Sequence, residues 1–495
     1  MAPLLTVYFT SDIHGYLYPT HFQNSEPQPM GLLSMRFPKD ENTLIIDGGD
    51  ILQGSPLTYF GHTQGVDLPI ARSMNDRGYD YVTLGNHDFN YGRENLLRYL
   101  RELNAVCLCA NVDDLRGEMP ILPCAVHRLG NGLRIGLVGL VTDWINRWEK
   151  PENLTDIHVV SPLERAKKAV SSLDCDVLIG IYHGGFERDP ETGKILSSTD
   201  ESIACRLCEE IPFDLLLTGH QHIPLAGSRW RNTHLVQTPC NAAAYVRVEL
   251  DINRHFTSQL CTVPDHADLT DEQIRLLGRL NNWLDHPIGH LSRPMWPEDK
   301  LKMAMKGTPI ADFFNRVQLW ASGADVSCAA LANSVRGFDR NVTVRDVVAT
   351  YVYPNTLKVL EVTGAVLRQA LEQCARYFDR DSDGTIVISS SFLHPKEAHY
   401  NYDFFLGIEY TFDLSRPAGH RVLSLTRGGN PVKDHQVLSL CMCDYRATGA
   451  GDFDFYLSCP VIREIQTDIS ELILCYLETH DPVDIPYNHP LTVLP

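Results

Sequence analysis

The sequence predicts an α/β layered domain followed by a second domain in which helices precede β-hairpins. The first observation is length, because 495 residues are too many for one ordinary core and enough for two. The second is that short apolar segments alternate with helical patterns over the first half of the chain, which is typical of α/β layers. The third is that this alternation stops after about residue 290.

The first half contains six apolar segments of the length and composition of β-strands, with helical patterns between them. We predict strands at Leu4–Phe9, Thr43–Ile46, Tyr81–Leu84, Arg134–Leu140, Asp176–Tyr182 and Asp214–Leu217. We predict helices near Asp67–Asp76, Arg93–Leu103 and Pro162–Leu173.

A change of pattern around residues 264–290 indicates a domain boundary. Thr270 is a plausible N-cap, and the amphipathic segment Ile274–Leu284 ends before a Pro-Ile-Gly sequence. We therefore predict a first domain over residues 1–264, a linker helix over 265–289 and a second domain over 290–495.

The second domain is predicted to begin with helices and to end with β-hairpins and a last helix. The predicted helices are Ile310–Ala321, Val344–Tyr351, Gly364–Tyr377 and Asp468–Thr479. The predicted strands are Gly407–Asp413, Val422–Arg427 and Val437–Cys441.

Polar clusters follow several strands of the first domain. Ligand sites in open α/β sheets lie at the carboxyl ends of strands, so these clusters can converge on one place. Side chains two residues apart on an extended segment face the same side, so both residues of an Asp-x-His or His-x-His pair can bind metal. The potential metal ligands are Asp12, His14, Asp50, Asn86, His183, His220 and His222.

This donor set indicates two divalent cations. Nitrogen and oxygen ligands without thiolate suit Mn, Zn or Fe. Two cations about 3.5–4 Å apart, sharing one carboxylate, can clamp a displacement at phosphorus, and Asp50 is the candidate for the shared ligand. Each cluster alone is typical of a polar loop or a capped turn. Their occurrence in order, each after an apolar strand, favours the metal site.

The motifs around Asp12-Ile13-His14, Gly49–Pro56, Gly85–Asp88 and Gly219–His222 resemble those of the calcineurin-like metallophosphoesterases. The Gln-Gly-Ser-Pro extension at 53–56 is similar to the 5′-nucleotidase and 2′,3′-cyclic-nucleotide phosphodiesterase family. The resemblance implies a four-layer α/β/β/α catalytic domain and an α+β substrate-binding domain. It also implies that one metal is held by Asp12, His14, Asp50 and His222, and the other by Asp50, Asn86, His183 and His220.

By the same resemblance His87 is the catalytic histidine, which contacts the phosphate or protonates the leaving oxygen. In many 5′-nucleotidases the third residue after it is an aspartate, but here it is Asn90. An amide can hold the ring by a hydrogen bond but supplies no charge. The sequence Phe89–Gly92 resembles the cyclic-phosphodiesterase branch. We predict His87 and Asn90 as the catalytic pair, and the sequence leaves open whether Asp88 takes part of the orienting role.

Two loops of the second domain resemble the substrate-binding loops of the family. Tyr353 and Tyr445 would sandwich a base, with Asn355 as a polar contact beside the first ring. Asp452 lies one position beyond the acidic residue of the family, and Arg336 could bind the phosphate as a fork. Taken singly, these tyrosines are more typical of core or hairpin positions, and Arg336 of a solvated charge.

Charge and composition exclude several classes of partner. A net charge of −19 argues against binding to nucleic-acid polymers, which need a basic surface. No segment reaches the length needed to span a bilayer, and the N-terminal segment lacks a basic signal-peptide region. The fourteen scattered cysteines favour a reducing, cytoplasmic setting. A secreted or periplasmic form, cut from a longer precursor, stays an alternative.

The expected function is metal-dependent hydrolysis of nucleotide phosphoesters, with 2′,3′-cyclic nucleotides, 5′-mononucleotides or both as substrates. One alternative is a two-metal hydrolase of nucleotide sugars or of another non-mononucleotide ester, against which the tyrosine pair argues. Another is a catalytically silent nucleotide-binding protein, against which the complete ligand set argues.

Overall fold

The computed structural model of the protein describes residues 2–24, 26–196, 200–353, 355–394, 397–486 and 489–494. The chain forms two compact units, Met1–Leu280 and Asn281–Pro495. The division falls within one helix, Asp271–Leu284, which lies in the segment predicted as a linker. None of the helices in the described ranges is long and apolar enough to cross a membrane.

The strands of the first unit are numbered in chain order. They are β1 (Leu5–Thr10), β2 (Thr43–Asp47), β3 (Tyr81–Val82), β4 (Val106–Leu108), β5 (Val112–Asp114), β6 (Ile121–Leu122), β7 (Cys124–Arg128), β8 (Arg134–Val141), β9 (Ile157–Val159), β10 (Val177–His183), β11 (Leu215–Thr218), β12 (Leu225–Trp230), β13 (Thr233–Gln237), β14 (Ala244–Leu250) and β15 (Phe256–Thr262). The helices are α1 (Pro56–Gln64), α2 (Ile70–Asn75), α3 (Gly92–Glu102), α4 (Ile145–Trp148), α5 (Pro162–Val170), α6 (Ala204–Glu210) and α7 (Asp271–Leu284).

Most of these strands form two sheets. Within the described residues, one sheet has the order β15-β14-β1-β2-β3-β4-β6 and the other the order β12-β13-β11-β10-β8-β7. Strands β1 to β4 run parallel in the first sheet, and β8, β10, β11 and β13 run parallel in the second. Fully buried apolar side chains from both sheets, such as Val7, Ile46, Ile179 and Leu217, form one common core between them.

Helices cover the outer faces of both sheets. The apolar faces of α5 and α6 pack on outward-facing residues of the second sheet, including Val138 and Leu216. Helices α1 to α3 connect parallel neighbours of the first sheet, and they must lie on its outer face because the inner face is in the common core. The prediction of four α/β/β/α layers is thereby confirmed.

The second unit combines helices with smaller sheets. Its strands are β16 (Pro287–His290), β17 (Val326–Ala330), β18 (Asn341–Thr343), β19 (Leu357–Thr363), β20 (Phe378–Arg380), β21 (Ile386–Ile388), β22 (Asp403–Leu406), β23 (Glu409–Asp413), β24 (Val422–Arg427), β25 (Asn430–Pro431), β26 (Val437–Cys443), β27 (Val461–Ile465) and β28 (Leu491–Leu494). Its helices are α8 (Lys300–Lys306), α9 (Pro309–Ser322), α10 (Val344–Thr350), α11 (Gly364–Ala375), α12 (Asp444–Ala447) and α13 (Ile469–Thr479). The larger sheets among the described residues have the orders β22-β17-β26-β19-β27 and β25-β24-β23-β28.

Every predicted strand and helix overlaps an observed element, and the differences lie at the ends. Helix α1, which begins after Ser55, was not predicted. The Ser55 hydroxyl accepts a hydrogen bond from the backbone of Thr58, and the Thr58 side chain caps the Ser55 backbone in return. The β12–β13 and β14–β15 hairpins were not predicted either, although β14 alternates buried apolar with partly exposed residues.

Candidate metal centre

The predicted ligands of the first domain follow the carboxyl ends of strands from both sheets. Those after β1, β2 and β3 come from the first sheet, and those after β10 and β11 from the second. The structure brings these residues together in two groups of mutually close ligand atoms, Asp12 with His14 and His222, and Asp50 with His183 and His220.

In the first group, donor atoms face one another. The Nε2 atoms of His14 and His222 are 3.2 Å apart, and Nε2 of His222 is 3.4 Å from Oδ1 of Asp12. Nitrogen lone pairs and carboxylate oxygens that converge on one point make an arrangement that a cation would complete.

In the second group, Nε2 of His183 is 3.0 Å from Oδ2 of Asp50. Apart from this carboxylate, the buried nitrogen has no hydrogen-bonding partner in the described ranges. Nδ1 of His220 lies 2.9 Å from Oδ1 of Asn86, which places the predicted amide ligand in the same group. The donor types and the nitrogen of His183 fit a second divalent cation.

In several of these histidines, the second ring nitrogen makes a polar contact with a residue outside the two groups. Nδ1 of His14 is 2.8 Å from the Gln53 carbonyl, and Nδ1 of His183 is 2.7 Å from the Gly48 carbonyl. A carbonyl only accepts, so each Nδ1 carries hydrogen and Nε2 is the nitrogen that faces the cluster and is available to a metal. Nε2 of His220 lies 3.1 Å from Oε1 of Glu201, which was not predicted.

The loops that carry the ligands are fastened to one another by backbone hydrogen bonds. The Asp12 amide donates to the Gly49 carbonyl, and the His14 amide donates to the Asp50 carbonyl. A left-handed φ costs a non-glycine residue about 1–3 kcal/mol, and such strain concentrates at functional sites. The predicted ligands with positive φ are Asp12, His14, Asp50, His220 and His222.

Charge in the cluster favours cation binding. Burial alone would raise the pKa of Asp50, but the imidazoles of His183 and His87 lower it well below its usual value. Burial lowers the pKa of His14 to about 4, so this imidazole is neutral. Burial disfavours charge on His183, but the carboxylates of Asp50 and Asp12 outweigh it and raise the pKa of His183 to about 9. A cation bound there would replace the proton on this ring.

Gly85 allows the loops after β2 and β3 to approach closely. A Cβ atom at this position would lie 2.1 Å from Oδ1 of Asp50 and 2.4 Å from its backbone nitrogen. Both distances are too short for a carbon atom, and the backbone nitrogen of Asp50 cannot move without the rest of its loop. Glycine is therefore required here by the position of the Asp50 side chain.

The structure assigns different contacts to Asp88 and Asn90. Oδ1 of Asn90 lies 2.7 Å from Nδ1 of His87 and orients the ring. The buried carboxylate of Asp88 instead accepts backbone hydrogen bonds that join the two ligand loops. Its donors are the amides of Gly85, Asp50, Ile51 and Leu52.

Both predicted base-stacking residues lie in the second unit and are exposed, Tyr353 by 38% and Tyr445 by 45%. Partial burial raises the pKa of Tyr353, and the nearby phenols of Tyr400 and Tyr445 raise it further. The Tyr400 ring meets that of Tyr353 edge to face, with centroids 6.3 Å apart. The structure thus brings the two predicted rings into one neighbourhood and adds Tyr400.

A buried arginine fixes the loop that carries Tyr445. Nε of Arg446 pairs with Oδ2 of Asp403 at 2.8 Å, and its Nη2 donates to the Tyr400 carbonyl at 2.9 Å. Its guanidinium also lies 4.2 Å from the centre of the Phe453 ring. Arg446 therefore ties the segments of Tyr445 and Tyr400 together.

The remaining predicted substrate residues are less closely grouped. The backbone of Asn355 accepts a hydrogen bond from the Ile469 amide at 3.0 Å, whereas Arg336 is exposed and pairs with Asp346 at 3.3 Å. Asp452, with a positive φ of 68°, lines a cavity of about 800 Å³ together with α11. Pro354, between Tyr353 and Asn355, lies outside the described residues.

Comparison with known proteins gives matches along both units. Residues 5–224 match the family profile described as calcineurin-like phosphoesterase, and residues 287–457 match the 5′-nucleotidase C-terminal domain. A crystal structure of a Staphylococcus aureus protein, assigned as a 5′-nucleotidase and determined with α-ketoglutarate, is 33% identical. The match covers 99% of this chain and 100% of that one, with a TM-score of 0.71.

Two curated relatives have lower identity. The 2′,3′-cyclic-nucleotide 2′-phosphodiesterase/3′-nucleotidase of Haemophilus influenzae is 23% identical over 90% of this chain and 80% of its own length. The trifunctional nucleotide phosphoesterase protein YfkN of Bacillus subtilis is 21% identical over 96% of this chain. The match spans only 38% of the length of YfkN.

Proposed function

Because the chain belongs to the calcineurin-like phosphoesterases that carry a 5′-nucleotidase C-terminal domain, we propose that it hydrolyses phosphoester bonds of nucleotides. The observation that carries the proposal is the convergence of two groups of metal-binding atoms at the carboxyl ends of the two sheets. The substrates we propose are 2′,3′-cyclic nucleotides, 5′-mononucleotides or both.

We propose that Asp12, His14, Asp50 and His222 hold one divalent cation, and Asp50, Asn86, His183 and His220 the other. When bound, two such cations would polarise the phosphate and lower the pKa of a water molecule. Asp50 is buried and belongs to the second group, and its carboxylate has two oxygens, so in this proposal one oxygen serves each cation. The nitrogen and oxygen donors favour Mn, Zn or Fe as the native metals.

His87 acts on the phosphate in this proposal. Its Nδ1 is occupied by Asn90, so Nε2 is the atom that can contact a phosphate oxygen or protonate the leaving oxygen. Its ring lies 5.2 Å, centre to centre, from that of His14, which keeps it beside the cations.

The nucleoside is bound by the second unit. Tyr353 and Tyr445 stack on the base, an interaction worth about 1–3 kcal/mol per base that tolerates any base. Asn355 contributes a polar contact, and Arg336 and Asp452 contact the remainder of the nucleotide. The amide of Asn90 favours cyclic nucleotides, and the Haemophilus relative is named for that activity.

The setting that we propose is the cytoplasm, with small nucleotides rather than nucleic-acid polymers or membranes as partners. Each of the fourteen cysteines lies in the described ranges and is a free thiol, which suits a reducing compartment. The net charge of −19 is unfavourable for a polyanion.

The test measures phosphoester hydrolysis by the protein loaded with Mn²⁺. A 2′,3′-cyclic nucleotide, a 5′-mononucleotide, a nucleotide sugar and an aryl phosphate would be compared by kcat/KM. We expect one of the first two to be the best substrate. His87→Ala should lower kcat by about 10²–10⁴-fold and retain both cations. A preference for the nucleotide sugar, or no turnover at all, would contradict the proposal.

A further inference from the structure

The side chain of Asn90 connects His87 to a carboxylate from a distant loop. While Oδ1 of Asn90 contacts His87, its Nδ2 donates a hydrogen bond of 2.5 Å to Oε2 of Glu149. Glu149 follows helix α4 and lies 59 residues farther along the chain. The sequence motifs around His87 contain no sign of this contact.

Asn153 holds Glu149 in place. Its Nδ2 donates to the other carboxylate oxygen of Glu149 at 2.8 Å and to the backbone carbonyl of Asn90 at 2.9 Å. The Lys150 amide donates to the same Glu149 oxygen as Asn153, at 2.7 Å. Both oxygens of Glu149 are thus engaged, and the carboxylate is fixed in position and direction.

The polarity of these hydrogen bonds determines the tautomer of His87. An ionised carboxylate only accepts hydrogen bonds, so the nitrogen of the Asn90 amide faces Glu149 and its oxygen faces His87. That oxygen also only accepts, so Nδ1 of His87 carries the hydrogen. An asparagine without such a partner can turn over and present its NH₂ group to the ring, which favours the opposite tautomer.

We propose that Glu149 is a positioning residue, which fixes the tautomer and direction of His87 through the Asn90 amide. The inference rests on the proposed function, in which Nε2 of His87 acts on the phosphate. In the neutral Nδ1–H form, Nε2 carries a lone pair and first takes up a proton from water, which gives the imidazolium. When Nε2 then protonates the leaving oxygen, the electrons of the broken Nε2–H bond stay on Nε2 and the neutral Nδ1–H form is restored. Glu149 also brings a negative charge to a network in which Asn90 itself has none.

Three variants separate this role from a general effect on folding. Glu149→Gln keeps the size of the side chain but lets its amide face Asn90 in either orientation. Asn90→Asp puts a second carboxylate 2.5 Å from Glu149, where like charges repel. In the combined variant Asn90→Asp/Glu149→Gln, the new carboxylate at position 90 accepts from His87, and the new amide at position 149 donates to that carboxylate. Glu152→Gln, on an exposed neighbour, is the matched control.

In the Mn²⁺-loaded protein we expect Glu149→Gln to lower kcat by about tenfold or more with KM changed by less than about twofold. Asn90→Asp alone should be at least as damaging, and the combined variant should recover most of the lost kcat. Equal kcat in Glu149→Gln and the Glu152→Gln control would overturn the proposal, as would a combined variant no better than either single one.

A spectroscopic measurement decides the proposal without turnover. In the Zn²⁺-loaded protein, ¹⁵N correlation spectra of the histidine rings report which nitrogen of each carries hydrogen, and His87→Gln identifies the His87 signals. We expect hydrogen on Nδ1 of His87 in the wild type and a mixture of tautomers in Glu149→Gln. Hydrogen on Nε2 alone in the wild type, or identical spectra for the two proteins, would refute it. A wild type with this tautomer but no nucleotide hydrolysis would refute the proposed function instead.

Discussion

The metal centre of the first unit and the aromatic site of the second are built in opposite ways. The predicted metal ligands follow strand ends, and most are buried and fixed by hydrogen bonds to neighbouring loops. Tyr353 and Tyr445 lie on loops and leave 38% and 45% of their surface exposed. Chemistry at phosphorus needs ligand positions held within fractions of an ångström, whereas stacking on a base tolerates variation. This contrast supports the proposal that the first unit does the chemistry and the second selects the substrate.

The largest effect is expected when Asp50, the proposed shared ligand of the metal centre, is removed. Asp50→Ala should abolish binding of both cations and lower activity by at least about 10³-fold, because two-metal chemistry contributes several kcal/mol and about 1.4 kcal/mol corresponds to a factor of ten. Metal content after desalting and phosphate release are the measurements, with the exposed Asp265→Ala as control. An active Asp50→Ala protein would mean that the two groups do not share this carboxylate.

Gly85→Ala tests whether the rigidity of the metal loops matters. The added methyl group would overlap Oδ1 and the backbone nitrogen of Asp50, so we expect cation affinity and kcat to fall by about 100-fold. Gly278→Ala in helix α7 is the control, because no atom lies within 4 Å of its added methyl group. Both would be measured by calorimetric titration with Mn²⁺. Equal affinities of the Gly85→Ala and Gly278→Ala proteins for Mn²⁺ would show that the metal loops can shift to accommodate the added methyl group.

Glu201→Gln is expected to have a smaller and more selective effect. Glu201 lies against Nε2 of His220, and partners of this kind contribute about 10–100-fold to metal affinity. Only the cation held by His220 should bind more weakly, so a titration should change from two similar steps to one strong and one weak step. The adjacent exposed Asp200→Asn should leave both steps unchanged. Two equally weakened steps would point to a loss of folding rather than to His220.

Tyr353→Ala and Tyr445→Ala should have the smallest effect, and only on nucleotides. Each removes one stacking partner, which raises KM for a nucleotide by about tenfold and leaves kcat/KM for an aryl phosphate unchanged. Phenylalanine at either position should retain stacking and serves as the matched variant. A fall in aryl phosphate hydrolysis would place these tyrosines in the chemical step and remove the contrast between the two units.

Local apolar patterns and polar strand ends are visible in a single chain, and they predicted an α/β first domain and the strands that precede the clusters. The four layers were predicted from the family resemblance. The sequence did not show that the clusters come from two different sheets, since strand order depends on long-range pairing. Glu149 and Glu201 were missed for the same reason. They lie 59 and 19 residues from the side chains that they contact, and no motif includes them.

The aromatic site was predicted only in part. Tyr353 and Tyr445 were found through the resemblance of their loops, and Tyr400 was not, because its position depends on Arg446 and Asp403. Buried ion pairs of this kind carry no local pattern. Asp452, selected by its position near the acidic residue of the family, lines a cavity beside α11, and its role stays a prediction.

The most direct test of the account is an anomalous difference map from crystals of the protein grown with Mn²⁺. We predict two peaks about 3.5–4 Å apart, one beside Asp12, His14 and His222 and the other beside His183 and His220, with the Asp50 carboxylate between them. A single peak, or two peaks that do not share Asp50, would contradict the two-metal centre on which the proposed function depends.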